Sequence, residues 1–432
     1  MNDLTHYDII ADIHGRFDKL TALMARLGYE KCGDSFIPPA GHKALFLGDL
    51  IDTKPGHPFP GGVRATLRAV KAMCDRGDAL CLMGNHEFNA ILFHTRGPNG
   101  KPLKLHGSRN LLTHQGTLDD FPDHADPASE WRTVWMPWMK SLPFTIDLDG
   151  FRAVHACWHP ELLARLDGRS LTDHGFLLAC AEKFTPEWEA IEAVLKGIEV
   201  PMPAGQFFID HAGREHKQFR ARWWDAPGDD ILCSELVFPL SDQVSAVPVD
   251  PDAKLLITPY PEDERPVFFG HYFKPANSPT HPERHNVACL DHSAATGGPL
   301  VAYRWKGEAG VIPGNFFSSN QSPADPETLA KSMRHIRPLA KGFSYSIDLV
   351  FCESNSLSYA CLEVEEKSFS DNVDDFDMVD YVPLQDSEIE ILLNSPPPDI
   401  LRYIENISNG KDCITSIRGK FNWACGVYYP HT

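Results

Sequence analysis

Tyr7-Asp8-Ile9-Ile10-Ala11-Asp12-Ile13-His14-Gly15 is an apolar run that ends on an acid, a histidine and a glycine. The run itself, Tyr7 to Ala11, has the length and content of a strand. After it, Phe17, Leu20, Leu23, Met24 and Leu27 recur at helical spacing, and Gly28 supplies a stop. The pattern then repeats. Ala44 to Leu47 ends at Gly48-Asp49-Leu50-Ile51-Asp52, and a helical stretch from Val63 to Cys74 follows, stopping near Gly77. Ala79 to Met83 ends at Gly84-Asn85-His86-Glu87. Strands alternating with helices predict a parallel sheet. Ligands of such sheets gather beyond the carboxyl ends of the strands. All three polar motifs fall there.

Further along, Asp126 to Trp224 reads as mainly helical, with Ser129–Lys140 and Pro186–Leu195 the clearest helices. Between them, Phe144–Leu148 and Phe151–Val154 read as a hairpin around Asp149-Gly150, and its second strand delivers His155. Lys254–Thr258, Pro266–Phe269, Asn286–Leu290 and Leu300–Trp305 read as later strands forming a second sheet. The third approaches Asp291, and Gly297-Gly298 turns into the fourth. The expectation is an α/β fold of two packed sheets with helices outside. Ser318 to Pro326, rich in Ser, Asn and Pro, reads as a linker. This sets a catalytic domain over 1–315 and a small α+β C-terminal extension over 316–432. In the extension, Tyr345–Phe351 and Ser358–Val364 alternate as a strand pair, Asp371 to Asp380 is acidic, and Ile400–Ile407 reads as a short helix.

Bulk properties narrow the function classes. The formal net charge of −19 over 432 residues argues against generic binding to long nucleic acid or anionic membrane, which needs clustered Lys and Arg. No apolar run of about 18 residues suggests a membrane span, and Met1 to His6 lacks the features of a signal peptide. The 11 cysteines form no Cys-x-x-Cys pair and read as free thiols of a reducing compartment. Together these place the protein in the cytoplasm.

The polar motifs carry the chemistry. Asp12 and His14, two apart at a strand end, can face one metal ion. Asp49 on the next strand can bridge, and Asn85, His155 and His271 can complete a second metal. Two divalent ions about 3.5–4 Å apart clamp phosphoryl oxygens and share a hydroxide able to attack phosphorus. A donor set of carboxylate, imidazole and amide carbonyl suits Mn first, with Fe or Zn as alternatives. His86 then faces the leaving group as a general acid, and Asp52 holds its tautomer.

With Gly270-His271-Tyr272 and Ala288-Cys289-Leu290-Asp291 added to these motifs, residues 5 to 310 resemble a calcineurin-like metallophosphoesterase. The resemblance is to the branch of bacterial and phage serine/threonine phosphoprotein phosphatases and symmetrical diadenosine tetraphosphatases. It implies an αββα two-sheet sandwich with a helical insertion. It also implies two metals, one on Asp12, His14 and Asp49, the other on Asp49, Asn85, His155 and His271, with His86 and Asp52 as the acid pair. One departure stands out. Members of this branch commonly follow the second motif with Arg-Gly to hold the substrate phosphate; here Thr53-Lys54-Pro55-Gly56 stands instead. Lys54 is a candidate replacement without the bidentate fork of Arg, and Arg220 or Arg222 are candidates for a second phosphate-binding arginine.

Other residues have plainer readings. Glu87 reads as a helix-start residue supporting the site. His159 reads as structural, with substrate contact the alternative, and His57, His106, His114, His211 and His292 read as surface or core residues. Trp135, Trp138, Trp223 and Trp224 read as packing, with a base-stacking platform the sharper alternative. The expected substrate is a phosphorylated one. Phosphomonoester hydrolysis, as of a phosphoprotein, comes first, and dinucleoside polyphosphate hydrolysis second. In a third reading the extension makes this a regulatory protein by recruiting a protein partner or forming an oligomer contact.

Overall fold

A computed structural model describes residues 5–209, 215–241 and 243–320, together with the backbone of four strands further on. Contacts divide the chain into two units. The first holds most of residues 1–320, and the second is chiefly residues 321–432.

In the first unit nine strands build two sheets. They are β1 (His6–Ile10), β2 (His42–Phe46), β3 (Ala79–Cys81), β4 (Thr145–Asp147), β5 (Arg152–Val154), β6 (Val267–Phe269), β7 (Val287–Cys289), β8 (Val301–Trp305) and β9 (Phe316–Ser318). The first sheet runs β9-β8-β1-β2-β3. Within it β1, β2 and β3 are parallel, and β8 and β9 antiparallel. The second sheet runs β7-β6-β5-β4, parallel except for the β4–β5 hairpin.

Both faces of each sheet are covered, which explains the continuous apolar runs in the sequence. Alternate residues point to opposite faces. Ile9, Leu45, Leu47, Phe268, Ala288, Leu290, Val301 and Tyr303 form one buried cluster drawn from both sheets. Their chain neighbours Ile10, Ala44, Phe46, Val267, Phe269, Val287, Cys289 and Ala302 belong to a second cluster shared with the helices. The sheets therefore pack face to face with helices outside. Helix α1 (Phe17–Arg26) buries Leu20, Leu23 and Met24. Helix α2 (Gly62–Arg76) ends at left-handed Gly77. Helix α3 (Asn85–His94) follows β3, and α4 (Ser108–Asp120) comes next.

Four expectations change. Lys254–Thr258 is not a strand: a short helix, Pro251–Lys254, ends at its first residue, the Asp250 side chain accepting the Asp252 N–H at 2.9 Å at the helix start. Asp at the N-cap followed by Pro at the first helical position is a helix start. Leu300–Trp305 does form a strand, but β8 pairs with β1 in the first sheet, Tyr7 opposite Trp305. Ser129–Lys140 is a single π-helical stretch, Trp131–Trp135, continuing into an α-helix, Met136–Ser141. Finally, β9 pairs with β8, so the first sheet extends past the boundary drawn at residue 315 and into the expected linker.

In the second unit Met333–Ala340, Tyr345–Ser354, Leu357–Glu366 and Val379–Leu384 form a four-stranded antiparallel sheet in chain order. The second and third contain the expected strand pair. Residues 371–378 of the acidic stretch, Ile400–Ile407 and His211 lie outside the described residues. Among the described residues no helix is long and apolar enough to cross a membrane.

Candidate metal centre

The ends of β1, β2, β3, β5 and β6 converge on one point. Asp12 and His14 follow β1, Asp49 follows β2, Asn85 and His86 open α3 after β3, His155 follows β5, and His271 follows β6. The ligand atoms of Asp12, Asp49, His155 and His271 lie within 4.8 Å of one another, and so do those of His14, Asp49 and His86. Asp49 belongs to both groups. Its Oδ2 lies 3.7 Å from His14 Nε2 and 3.9 Å from His86 Nε2, and its Oδ1 lies 3.5 Å from His155 Nε2. Asn85 Oδ1 is 3.0 Å from His155 Nε2. All six expected ligands are thus together.

The turns that bring them together are tight. Seven non-glycine residues have positive φ among those described. Five of them, His14, Asp49, His271, Phe273 and Ser293, line one cleft of about 200 Å³. A sixth, Asp52, bonds His86. Left-handed backbone is costly outside glycine and concentrates at functional sites. Close approach also fixes two glycines. A Cβ at Gly84 would sit 2.2 Å from Asp49 N, and one at Gly270 would sit 2.1 Å from Asp12 Oδ1.

The donor set fits divalent cations. The His14 Nδ1–H donates to Ile51 O at 3.1 Å and the His155 Nδ1–H to Leu47 O at 2.7 Å. In each ring this turns Nε2 toward the cluster, as an outer hydrogen bond orients a metal-binding histidine. Asp12 Oδ2 accepts the His271 N–H at 3.0 Å, while Asp12 Oδ1 and His271 Nε2 are buried without a hydrogen-bond partner. Burial, aided by Lys54 and His86, lowers the His14 pKa to about 3. Burial and then Arg220 push that of His271 well down. Both rings are therefore held in the neutral form that coordinates metal. Burial raises the carboxyl of Asp12, and the neighbouring Asp291 adds to the rise. For His155, burial pulls down, but Asp49 and Asp12 outweigh it and raise the ring to about 10. The buried carboxylates call for positive charge at this point.

Around the ligands lies a supporting layer. The His86 Nδ1–H donates to Asp52 Oδ2 at 2.7 Å. Asp52 Oδ1 accepts from His114 Nδ1 at 2.7 Å and Thr117 Oγ1 at 2.5 Å. His114 Nε2 in turn lies 3.0 Å from Nε2 of His94, the last residue of α3. Asp52 is buried, yet His114 and His86 hold its carboxyl far below the usual range. Buried Glu87 accepts the backbone N–H groups of Asp49, Leu50 and Gly84.

Of the expected phosphate contacts, Lys54 lines the cleft and has no ion-pair partner among the described residues. Arg220 lies over the rings of Tyr272 and Phe273, at 5.2 and 5.5 Å, close enough to depress His271. Arg222 is instead paired with Asp225 at 3.4 Å.

Two residues at the site carried no assigned role in the sequence reading. Asp291, there only the end of the Ala288–Asp291 motif, lines the cleft, its carboxylate accepting the Phe273 and Ser293 N–H groups at 2.9 Å each. His114, assigned to surface or core, reaches Asp52 from α4 with no local signal at all. His159 lies 3.0 Å from Thr258 Oγ1, a structural contact. Trp135, Trp223 and Trp224 are buried at 1–2% exposure and offer no stacking face.

A two-sheet α/β sandwich with an Asp/His cluster at converging strand ends is the architecture of a metal-dependent phosphoesterase domain. Residues 6–192 match the calcineurin-like phosphoesterase family, which supports a metallophosphoesterase reading of that stretch. Three similar curated proteins are each named bis(5'-nucleosyl)-tetraphosphatase PrpE [asymmetrical]. The one from Geobacillus sp. (strain WCH70) is 40% identical over 175 residues, 38% of this chain and 62% of the relative. The Bacillus subtilis (strain 168) protein is 33% identical over 102 residues, 23% of this chain and 38% of its own. That from Halalkalibacterium halodurans is 38% identical over 80 residues, 18% of this chain and 30% of its own. The chain thus spans less than two thirds of the length of these curated relatives. Their names carry the asymmetrical designation, whereas the sequence resemblance points to the symmetrical branch. No solved structure matches the chain at a significant level.

Proposed function

We propose that this protein is a two-metal hydrolase of phosphate esters and anhydrides, with a dinucleoside polyphosphate as substrate. The observation that carries the reaction is the placement of Asp49 between two groups of buried imidazoles and carboxylates. When bound there, two divalent cations supply phosphoryl polarisation and a water of lowered pKa. In this reading Asp12, His14, Asp49, Asn85, His155 and His271 hold the cations.

The remaining work falls to other side chains. Asp52 accepts a hydrogen bond from the His86 Nδ1–H, which orients the ring so that its imidazolium form would give the Nε2 proton to the departing oxygen. Lys54 attracts the negative phosphoryl oxygens in the cleft, and Arg220, beside His271, adds positive charge at the rim. The names of the relatives support the nucleotide substrate.

The size of the cleft favours a second reading. About 200 Å³ is smaller than the usual pocket for a whole ligand. It suits a phosphoryl group whose leaving group stays outside, as in a phosphomonoester or phosphoprotein. One experiment separates the two: initial rates of the Mn-loaded full chain on diadenosine tetraphosphate and on a phosphopeptide, with nucleotide products resolved by chromatography. Faster cleavage of the dinucleotide supports the first reading, and ATP with AMP or two ADP reveals which bond breaks. Faster cleavage of the phosphopeptide overturns it in favour of the second.

A further inference from the structure

The two ends of α3 lie against different cavities. The first residues of the helix, Asn85 and His86, belong to the metal centre. The last, His94, helps to wall a separate cleft of about 490 Å³. Ten helical residues separate the two by about 14 Å along the axis, and no residue lines both cavities.

This second cleft is lined by three cationic side chains, Arg96, Arg132 and Lys140, and by no carboxylate. Their existing contacts leave the charges unbalanced. Arg132 donates only to backbone oxygens, Nε to His124 O at 2.8 Å and Nη1 to His94 O at 2.6 Å. Arg96 donates to Gly100 O at 2.7 Å. Among the described residues the Lys140 ammonium makes no hydrogen bond. Among the described residues none of the three is paired with an acid, although the chain carries 59 acidic residues against 40 Lys and Arg. The groups also disfavour one another's charge. Burial and then Arg132 lower the Lys140 pKa, and burial and then Arg96 lower that of Arg132.

The bond from Arg132 to His94 O also neutralises the negative end of α3, which would otherwise repel an anion. Met136 and Pro137 add an apolar wall, and the volume is that of a small-molecule pocket.

We propose that this cleft is a second anion site, distinct from the metal centre, that binds a small phosphorylated molecule through Arg96, Arg132 and Lys140. Guanidinium and ammonium groups converging on one cavity are the chemistry that recognises phosphoryl oxygens. The apolar wall accommodates the carbon portion of the ligand.

The test is calorimetric titration of inorganic pyrophosphate into the full chain with a chelator present, so that neither bound metal nor turnover contributes. Its outcome is therefore independent of the reaction proposed above. The expected result is one site, with a dissociation constant of about 1 mM or tighter. Binding should weaken about tenfold in Arg96→Met/Lys140→Met and stay unchanged in Lys54→Met, which alters only the metal-centre cleft. Absence of binding, equal binding by the double variant, or loss of binding in Lys54→Met would each overturn the proposal. If circular dichroism shows the double variant unfolded, Lys140→Met alone serves the same comparison.

Discussion

Glu87 holds the backbone of Asp49 in place: its Oε2 accepts the Asp49 N–H and its Oε1 the Leu50 N–H, each at 2.8 Å. The acid that joins the two ligand groups thus owes its left-handed conformation (φ 51°) to a carboxylate on the next motif. Hydrogen bonds to charged groups contribute about 1.5–3 kcal/mol each, and burying their donors unpaired costs more. Glu87→Ala is therefore expected to destabilise the fold by about 3 kcal/mol or more and to weaken metal binding. Chemical denaturation and metal analysis of the purified variant check both; a variant as stable as the parent would refute the buttress.

Replacing His86 by Asn is expected to cut kcat by about 10²–10⁴-fold while metal content per chain stays the same. Metal lost in parallel with activity would instead make His86 a ligand, the alternative its grouping with His14 and Asp49 leaves open. His114→Phe removes one of the two histidines held by Asp52. Its kcat should fall by about tenfold, again with metal retained.

Lys54 and Arg220 stand at the cleft, and Arg222 is engaged with Asp225. Lys54→Met and Arg220→Met should each raise KM by about tenfold or more, whereas Arg222→Met should leave KM within about twofold. Steady-state kinetics on the preferred substrate decides. A large KM effect in Arg222→Met alone would reverse the assignment.

His94 gives the fold a pH dependence of definite sign. Burial, followed by His114 and Arg132, lowers its pKa to about 2, against about 6.5 in an unfolded chain. The unfolded state therefore binds the proton more readily. The contribution of this residue to stability is complete above about pH 6.5 and is lost as pH falls toward the folded value, at up to about 1.4 kcal/mol per pH unit. Between pH 7 and pH 5.5, Tm of the parent should fall further than Tm of His94→Gln. Equal falls would show that His94 titrates normally.

Where sequence reading succeeded, the information was local. Asp12, Asp49 and Asn85 each follow an apolar strand, and this fixed both the parallel strands and their polar ends. What failed depended on distant partners. Nothing in Val301–Trp305 distinguishes pairing with β1 from pairing with β7. His114 reaches Asp52 only because α4 packs across a separation of 62 residues. Lys254–Thr258 is different: the Asp250-Pro251 helix start just before it is a local signal, and the helix it opens ends at Lys254. Arg220 and Arg222 differ through Asp225, an acid close in sequence whose pairing with Arg222 only side-chain geometry reveals.

The hydrogen bonds that aim the candidate ligands are internal to the protein: His14 to Ile51, His155 to Leu47, the His271 N–H to Asp12 and the His86 N–H to Asp49. Such a centre behaves as a socket rather than as a knot. If the six residues hold cations as proposed, stripping the ions with a chelator is expected to leave the chain folded, which circular dichroism checks.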